Sequence, residues 1–346
     1  MEDTNKHKHD ILRQQGAVLI PAAAYGDAAG LPMETRSAQY IAEHHGVISE
    51  LLPTKLNPLF ETSEDTGNWS DDTQLTLAVA KAIIKANGFD LATQAEMQLA
   101  VYNDESIPKI ERKGKMIKQG WGGSTVDAME KLNAGVDPTK SGTVGGAGNG
   151  VLIKMGPLAY LHGVRRPIVQ TIYEQYDQFT NMTHDSPEAR MTTKVHGDML
   201  AYLLRDEYDK KQFMNVLEGS LAIHEFKETF GTRLDLGYLR NQLKYLYGTV
   251  NKETILSETD GRGFFAPQTL AMAYGAFIAN DGEFTPSVYE AVNLGGDTDS
   301  IASIVAVMSA FKTKKPLRMP IDHQNLDRLP KLKSVSRQLA AVAFAN

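Results

Sequence analysis

Two segments near opposite ends of the chain share one form, and together they constrain the fold more than any other feature. Trp69-Ser70-Asp71-Asp72-Thr73-Gln74 leads directly into the apolar run LTLAVAKAII, and Gly295-Gly296-Asp297-Thr298-Asp299-Ser300 leads into IASIVAVMSAF. Each sets two carboxylates and a hydroxyl at the start of an apolar helix. Singly, acidic residues in a first turn are what the helix macrodipole favours, and Ser70 is an ordinary N-cap. As a pair they ask for a common cause. If the two helix starts converge, four carboxylates and two hydroxyls share one pocket, a charge density tolerable only with cations present. Hard oxygen donors without His or Cys point to Mg2+, with Mn2+ or Ca2+ as substitutes.

An EF-hand reading of DTDSIAS fails, because the glycine at the sixth position and the closing bidentate Glu are absent. Elsewhere, helical spacing recurs over 74–86, 124–134, 188–204, 211–226, 266–280 and 299–312, while alternating Val, Ile and Thr are scarce. Asn87-Gly88 and Asn280-Asp281-Gly282 follow two of these runs as stop signals. The expectation is an all-α fold, a helical bundle, with 1–346 as one domain and Gly-rich loops at 119–124, 142–150 and 295–296. The stretches 61–68 and 250–265 read as long surface loops.

The composition narrows the function. With 42% apolar and 23% charged residues a large core is available, and a formal charge of -6 argues against wholesale nucleic-acid or membrane-surface binding. The absence of Cys excludes thiolate metal sites, disulfides and cysteine nucleophiles, and fits a reducing cytoplasm. The N-terminus MEDTNKHKHDILRQQ is charged, and no apolar run reaches the ~18 residues that span a bilayer. The reading is a cytoplasmic protein, a monomer by default.

Three glycine-bearing segments offer ligand contacts. Gly145-Gly146-Ala147-Gly148-Asn149-Gly150 precedes VLIKMGPLAYL and has the form of a loop that presents backbone N–H groups to a diphosphate, although a tight turn explains it equally well. A dinucleotide fold would require a buried strand ahead of it, and KSGTV is short and polar. Gly122-Gly123-Ser124 opens the helix VDAMEKLNAG, where Ser124 is either a phosphate donor or an N-cap. Gly26 to Glu34 sets Asp27 and Glu34 around a Gly-Pro turn, for which capping or a structural hydrogen bond is the plain explanation. His184 precedes a helix starting at Pro187.

In this order, GDAAGLPME, SDDTQ, GWGGST, GGAGNGVLIKMGPLA, TH-x-SP and GGDTDSIA resemble the ADP-ribosylglycohydrolase family, over roughly residues 16 to 312. The resemblance implies an all-α, single-domain fold with a two-Mg2+ centre in a cleft. Its implied metal ligands are Ser70, Asp71, Asp72, Asp297, Asp299 and Ser300, with Glu34 and Asp299 catalytic. It assigns ADP-ribose contacts to Gly122, Gly123, Ser124, Gly146, Ala147, Gly148, Asn149, Gly150 and His184. Many relatives carry Thr at the positions of Ser70 and Ser300, a hydroxyl-for-hydroxyl change. Lys154 stands where Arg is common, which replaces a bidentate fork by a point charge if that position meets phosphate or an acidic neighbour.

What the resemblance implies chemically is hydrolysis at the anomeric carbon of the distal ribose, releasing ADP-ribose from a modified protein or small molecule. The bacterial, arginine-directed branch has the nearest WSDDTQ and GWGGST segments; serine, nucleic-acid and metabolite linkages stay open. The alternative is an ADP-ribose reader that no longer turns over, whose expected mark is a lost metal carboxylate. All four are present.

Overall fold

The computed structural model describes residues 2–60, 65–112, 115–229 and 237–345. Among them are fifteen α-helices and two small two-stranded sheets, and the chain is 68% helical. The all-α expectation holds.

The helix Thr298–Lys312 runs through the centre, buried on every side from Thr298 to Phe311. Such a helix needs apolar neighbours all round. The first helix, Glu2–Gly30, packs along it and also touches Asp71–Ala86 and Leu329–Ala343. Ala22, Ala23, Ala28 and Ala29 of this helix are all buried. At Gly26 and Gly30 the approach is closer still: a Cβ there would lie 2.3 Å from Ala302 O and 2.2 Å from Thr298 O respectively. The two helices therefore meet backbone to backbone at the end where the acidic segments lie.

All six helical stretches read from spacing are helices, at Asp71–Ala86, Gly123–Asn133, Pro187–Arg205, Lys210–Thr229, Ala266–Ala279 and Thr298–Lys312. Asn87 closes the first of these in the left-handed conformation. The spacing did not single out Glu2–Gly30, Leu91–Tyr102, Gly156–Arg165, Val169–Asn181, Phe284–Asn293 or Leu329–Ala343. Nor is 250–265 a single loop. Asn251 and Thr254 form a reciprocal capping box that starts the helix Lys252–Glu258. Of 61–68, residues 61–64 lie outside the described residues, and Thr66 pairs with Pro53 as a β-bridge.

The sheets are local. Lys109–Arg112 and Lys115–Lys118 form an antiparallel hairpin that pairs Ile110 with Ile117. Thr143–Val144 runs parallel to His184–Asp185, which brings the glycine loop beside His184. No helix among the described residues is long and apolar enough to cross a membrane.

Candidate active site at two converging helix starts

Asp27, on the buried face of the first helix, anchors the start of the Asp71 helix. Its carboxylate accepts Ser70 N–H at 2.9 Å, Thr73 N–H at 3.0 Å and the Thr73 hydroxyl at 2.6 Å. Ser70 is the N-cap: its Oγ accepts Asp72 N–H at 3.2 Å. Asp27 is thus the structural acid that the sequence allowed, and it aims two other carboxylates.

The second helix start is fixed by backbone. Gly295 and Gly296 have φ of 72° and 78°, and a Cβ at Gly296 would lie 2.3 Å from Arg262 O. Only glycine fits that conformation in that space. Gly296 N–H donates to Arg36 O at 2.7 Å, its carbonyl accepts Thr35 N–H at 2.8 Å, and Asp297 N–H donates to Arg262 O at 2.7 Å. The Thr298 hydroxyl donates to Gly30 O at 2.7 Å.

The two starts meet. Ser300 Oγ donates to Asp72 Oδ2 at 2.8 Å, and one ligand oxygen each from Glu34, Asp297 and Asp299 lies within 4.8 Å of the others. Asn149 Nδ2 donates to Asp297 Oδ2 at 2.7 Å, and Asn57 Nδ2 donates to Glu34 Oε2 at 2.9 Å. Glu34 thus lies against the metal-type cluster, within 4.8 Å of oxygens of Asp297 and Asp299.

Burial pushes the Glu34, Asp71, Asp72 and Asp297 carboxyls well above the usual carboxylate range, and the charge of Asp299 adds to the push. Asp27 is raised to about 7 by burial and then by Asp299. Asp299 itself is raised by burial, and its Oδ1 is buried without a hydrogen-bond partner. An orphaned acceptor among mutually repelling carboxylates is what a divalent cation relieves, and the donors are all hard oxygens. The residues present fit a Mg2+-class ion.

Above the cluster opens a cleft of about 530 Å³. Asp71, Asp72, Asp297, Asp299, Ser300 and Glu34 line its floor, and Ser70 is buried outside the lining. Gly122 is the N-cap of the helix that begins at Gly123, so Ser124 is its second residue and not the cap. A Cβ added at Gly122 or Gly123 would meet nothing within 4 Å. Gly122, Gly123 and Ser124 line the cleft, as do Gly148, Asn149, Gly150 and His184.

Gly146 and Ala147 do not line the cleft. Gly146 N–H donates to Thr143 O at 2.9 Å, and the Ala147 carbonyl accepts Ala266 N–H at 2.9 Å. The N–H groups of Gly145 and Asn149 are likewise committed, to Asp185 O and Phe264 O. His184 sits beneath the loop with Nδ1 2.8 Å from Thr183 Oγ1, and burial, helped by the charge of Lys154, lowers its pKa to about 3. It is a neutral ring at any physiological pH.

Lys154, left open between phosphate and an acidic neighbour, lies away from the cleft. It is fully buried, outside the cleft lining, and its Nζ donates to Gln98 Oε1 at 2.9 Å and Thr183 Oγ1 at 3.4 Å. Burial lowers its pKa to about 7, against the opposing pull of Asp71. Asn57, Leu59, Ile110, Ile117 and Phe264 join the site without having been marked in the sequence. Only Asn57, in an Asn-Pro turn, carried any local signal.

The comparisons with known proteins point to one family. The family model described as ADP-ribosylglycohydrolase matches residues 12–310. An uncharacterized protein of Archaeoglobus fulgidus is 23% identical over 295 residues, covering 85% of this chain and 86% of its own length. The ADP-ribosylarginine hydrolase Tri1 of Serratia proteamaculans is 25% identical over 289 residues, covering 81% of this chain and 66% of that protein. A solved structure titled ADP-ribosylglycohydrolase-related protein complex superposes with a TM-score of 0.70 at 25% identity, covering 98% of this chain and all of that one. The chain therefore belongs to the ADP-ribosylglycohydrolase family, whose members are glycosyl hydrolases acting on ADP-ribose linkages.

Proposed function

We propose that this protein is a Mg2+-dependent hydrolase that removes ADP-ribose from modified arginine, using a two-ion centre held by Ser70, Asp71, Asp72, Asp297, Asp299 and Ser300. The observation that carries the reading is the cluster of Glu34, Asp297 and Asp299 oxygens within 4.8 Å, joined to Asp72 through Ser300 on the floor of the cleft.

Divalent cations at this cluster supply Lewis-acid charge neutralisation to the reacting sugar. The protein does the rest. Glu34 takes a proton from the attacking water. The water oxygen bonds to the anomeric carbon of the distal ribose as the carbon–nitrogen bond to the guanidine breaks, and Glu34 passes the proton it took from water to the departing nitrogen. The products are ADP-ribose and arginine, through an oxocarbenium-like transition state. Open space at Gly122 and Gly123 lets phosphate oxygens approach a helix N-terminus, and Gly148 and Gly150 admit the rest of the nucleotide beside His184. Binding energy at that remote end orients the reacting bond.

Two facts support arginine as the leaving group. The relative from Serratia bears the name of an arginine-directed hydrolase. Among the described residues no Lys or Arg lines the cleft, and His184 is neutral, so nothing there repels a guanidinium. Arginine- and serine-ADP-ribosylated peptides incubated with Mg2+ or with EDTA, followed by mass spectrometry of free ADP-ribose, test it. Mg2+-dependent release from the arginine peptide alone is expected. Release from the serine peptide alone overturns the linkage, and tight ADP-ribose binding without release from any substrate overturns the hydrolase.

A further inference from the structure

Glu34 stands at the cluster on extended backbone after a short 3-10 turn, and one residue outside every family motif holds it. Asn57 is 1% exposed. Its Nδ2 donates to Glu34 Oε2 at 2.9 Å and to Leu31 O at 2.8 Å, and its Oδ1 accepts Leu59 N–H at 3.0 Å. Both amide hydrogens and the amide oxygen are engaged, so the donor cannot turn away from the carboxylate.

The path continues beyond Asn57. Leu59 O accepts a hydrogen bond from Gln119 Nε2, and Gln119 N–H donates to Pro108 O at 2.9 Å. That last bond closes the base of the Lys109–Lys118 hairpin, whose cross-strand pair Ile110 and Ile117 lines the cleft together with Leu59. Hydrogen bonds and the backbone of the single residue Leu59 thus run from the hairpin wall to Glu34.

We propose that Asn57 is a positioning residue for Glu34, and that the Leu59–Gln119 link makes the placement of that carboxylate depend on the hairpin wall. This rests on the hydrolase reading above. A proton-accepting carboxylate has to sit within about 0.5 Å of its productive place. A neutral amide orients it without an ion pair, and among the described residues Glu34 is paired with no Lys or Arg. A substrate side chain resting on Ile110, Ile117 and Leu59 presses on the same loop that carries Asn57, so occupancy of the wall reaches the carboxylate.

The test compares wild type, Asn57→Ala, Gln119→Ala and the double variant as full chains. The measurements are kcat and KM on an ADP-ribosylarginine peptide, Mg2+ affinity by calorimetry, and Tm. Asn57→Ala is expected to lower kcat by about 10- to 100-fold, the effect of a misplaced reacting group, with KM and Mg2+ affinity within about threefold of wild type. Gln119→Ala is expected to lower kcat by about 2- to 30-fold. The double variant is expected to be no slower than Asn57→Ala alone, as residues in one path are. A wild-type kcat in Asn57→Ala, or a loss matched by equal losses of Tm and Mg2+ affinity, overturns the positioning role; additive losses overturn the hairpin link. If Asn57→Ala does not fold, Gln119→Ala decides alone, since its side chain is only half-buried, and an unchanged kcat there overturns the proposal. Absence of release by the wild type refutes the hydrolase reading and this one with it, whereas wild-type release with unaffected variants refutes this one alone.

Discussion

Ser300 Oγ donates to Asp72 Oδ2 at 2.8 Å across 228 positions of sequence, and that bond joins the two acidic helix starts. It fixes the orientation of a carboxyl that burial, and then the charge of Asp299, pushes well above the usual carboxylate range. Deleting the hydroxyl leaves Asp72 without this donor. Ser300→Ala is expected to weaken Mg2+ binding about 10- to 100-fold, the usual cost of losing an orienting contact at a metal site. Ser300→Thr keeps the oxygen and is expected to stay near wild type. Isothermal calorimetry with Mg2+ checks both, and equal affinities in all three proteins would refute the assignment.

Removing one charge from the cluster acts oppositely on stability and activity. Asp299 is the common source of the electrostatic push on Glu34, Asp71, Asp72 and Asp297. Asp299→Asn is therefore expected to stabilise the metal-free protein by about 1 kcal/mol, as relief of a strained active site does, and to lower kcat by about 10²-fold or more. Urea unfolding in EDTA beside the peptide assay measures both. A less stable metal-free variant would show that the repulsion is not there.

The same carboxyls give a pH dependence with a definite sign. Each holds its proton more tightly in the fold than in the unfolded chain, so its contribution to metal-free stability is present at low pH and lost as pH rises, through about 7 for Asp27. Cation binding requires the deprotonated forms of Asp71, Asp72 and Asp297, which burial and Asp299 also push well above the usual carboxylate range, so protons compete with Mg2+ and affinity rises with pH. The gain in Tm on adding saturating Mg2+ is expected to grow between pH 6 and pH 8. A gain independent of pH would mean the carboxyls are already ionised in the metal-free fold.

Much of this site was legible because its chemistry is carried by short local segments. Asp71 and Asp297 each sit at the start of an apolar helix, and the need to neutralise them predicts that distant helices converge. The first helix was less legible: from Ala17 to Gly30 it is apolar apart from Asp27, with Pro21 inside, so no amphipathic period marks it. Its meaning lies in packing, at Gly26 and Gly30, where the Thr298 helix comes too close for any Cβ. Asn57 was illegible for another reason. Its partners, Glu34 and Leu31, come from another part of the chain, and nothing in TKLNPLF marks that its amide faces a carboxylate.

Gly296 shows how one backbone position sets the cluster. Its φ of 78° is left-handed, and Arg262 O occupies the place of a Cβ at 2.3 Å. Gly296→Ala meets both the conformational penalty and the collision, for an expected loss of about 2–4 kcal/mol by denaturant unfolding. Because Asp297 N–H bonds that same Arg262 segment, Mg2+ affinity is expected to fall with it. A variant with unchanged stability would mean that the Arg262 loop yields.

Lys154 bears on a choice the resemblance left open, between a phosphate and an acidic neighbour. If it met phosphate, Lys154→Met would weaken ADP-ribose binding sharply. The structure buries its Nζ against Gln98 and Thr183, outside the cleft, and burial lowers its pKa to about 7. Lys154→Met keeps the length of the side chain and removes a charge that the interior disfavours, so ADP-ribose affinity is expected to stay within about twofold and stability at pH 6 to stay equal or rise. The sign at pH 6 follows from linkage. Below about 7 the folded protein has to carry the buried charge that the unfolded chain keeps in water, so the wild type bears a penalty the variant lacks. A large loss of ADP-ribose affinity in this variant would place the amine in the nucleotide site after all, and a large loss of stability alone would show that its bonds to Gln98 and Thr183 outweigh the cost of burying it.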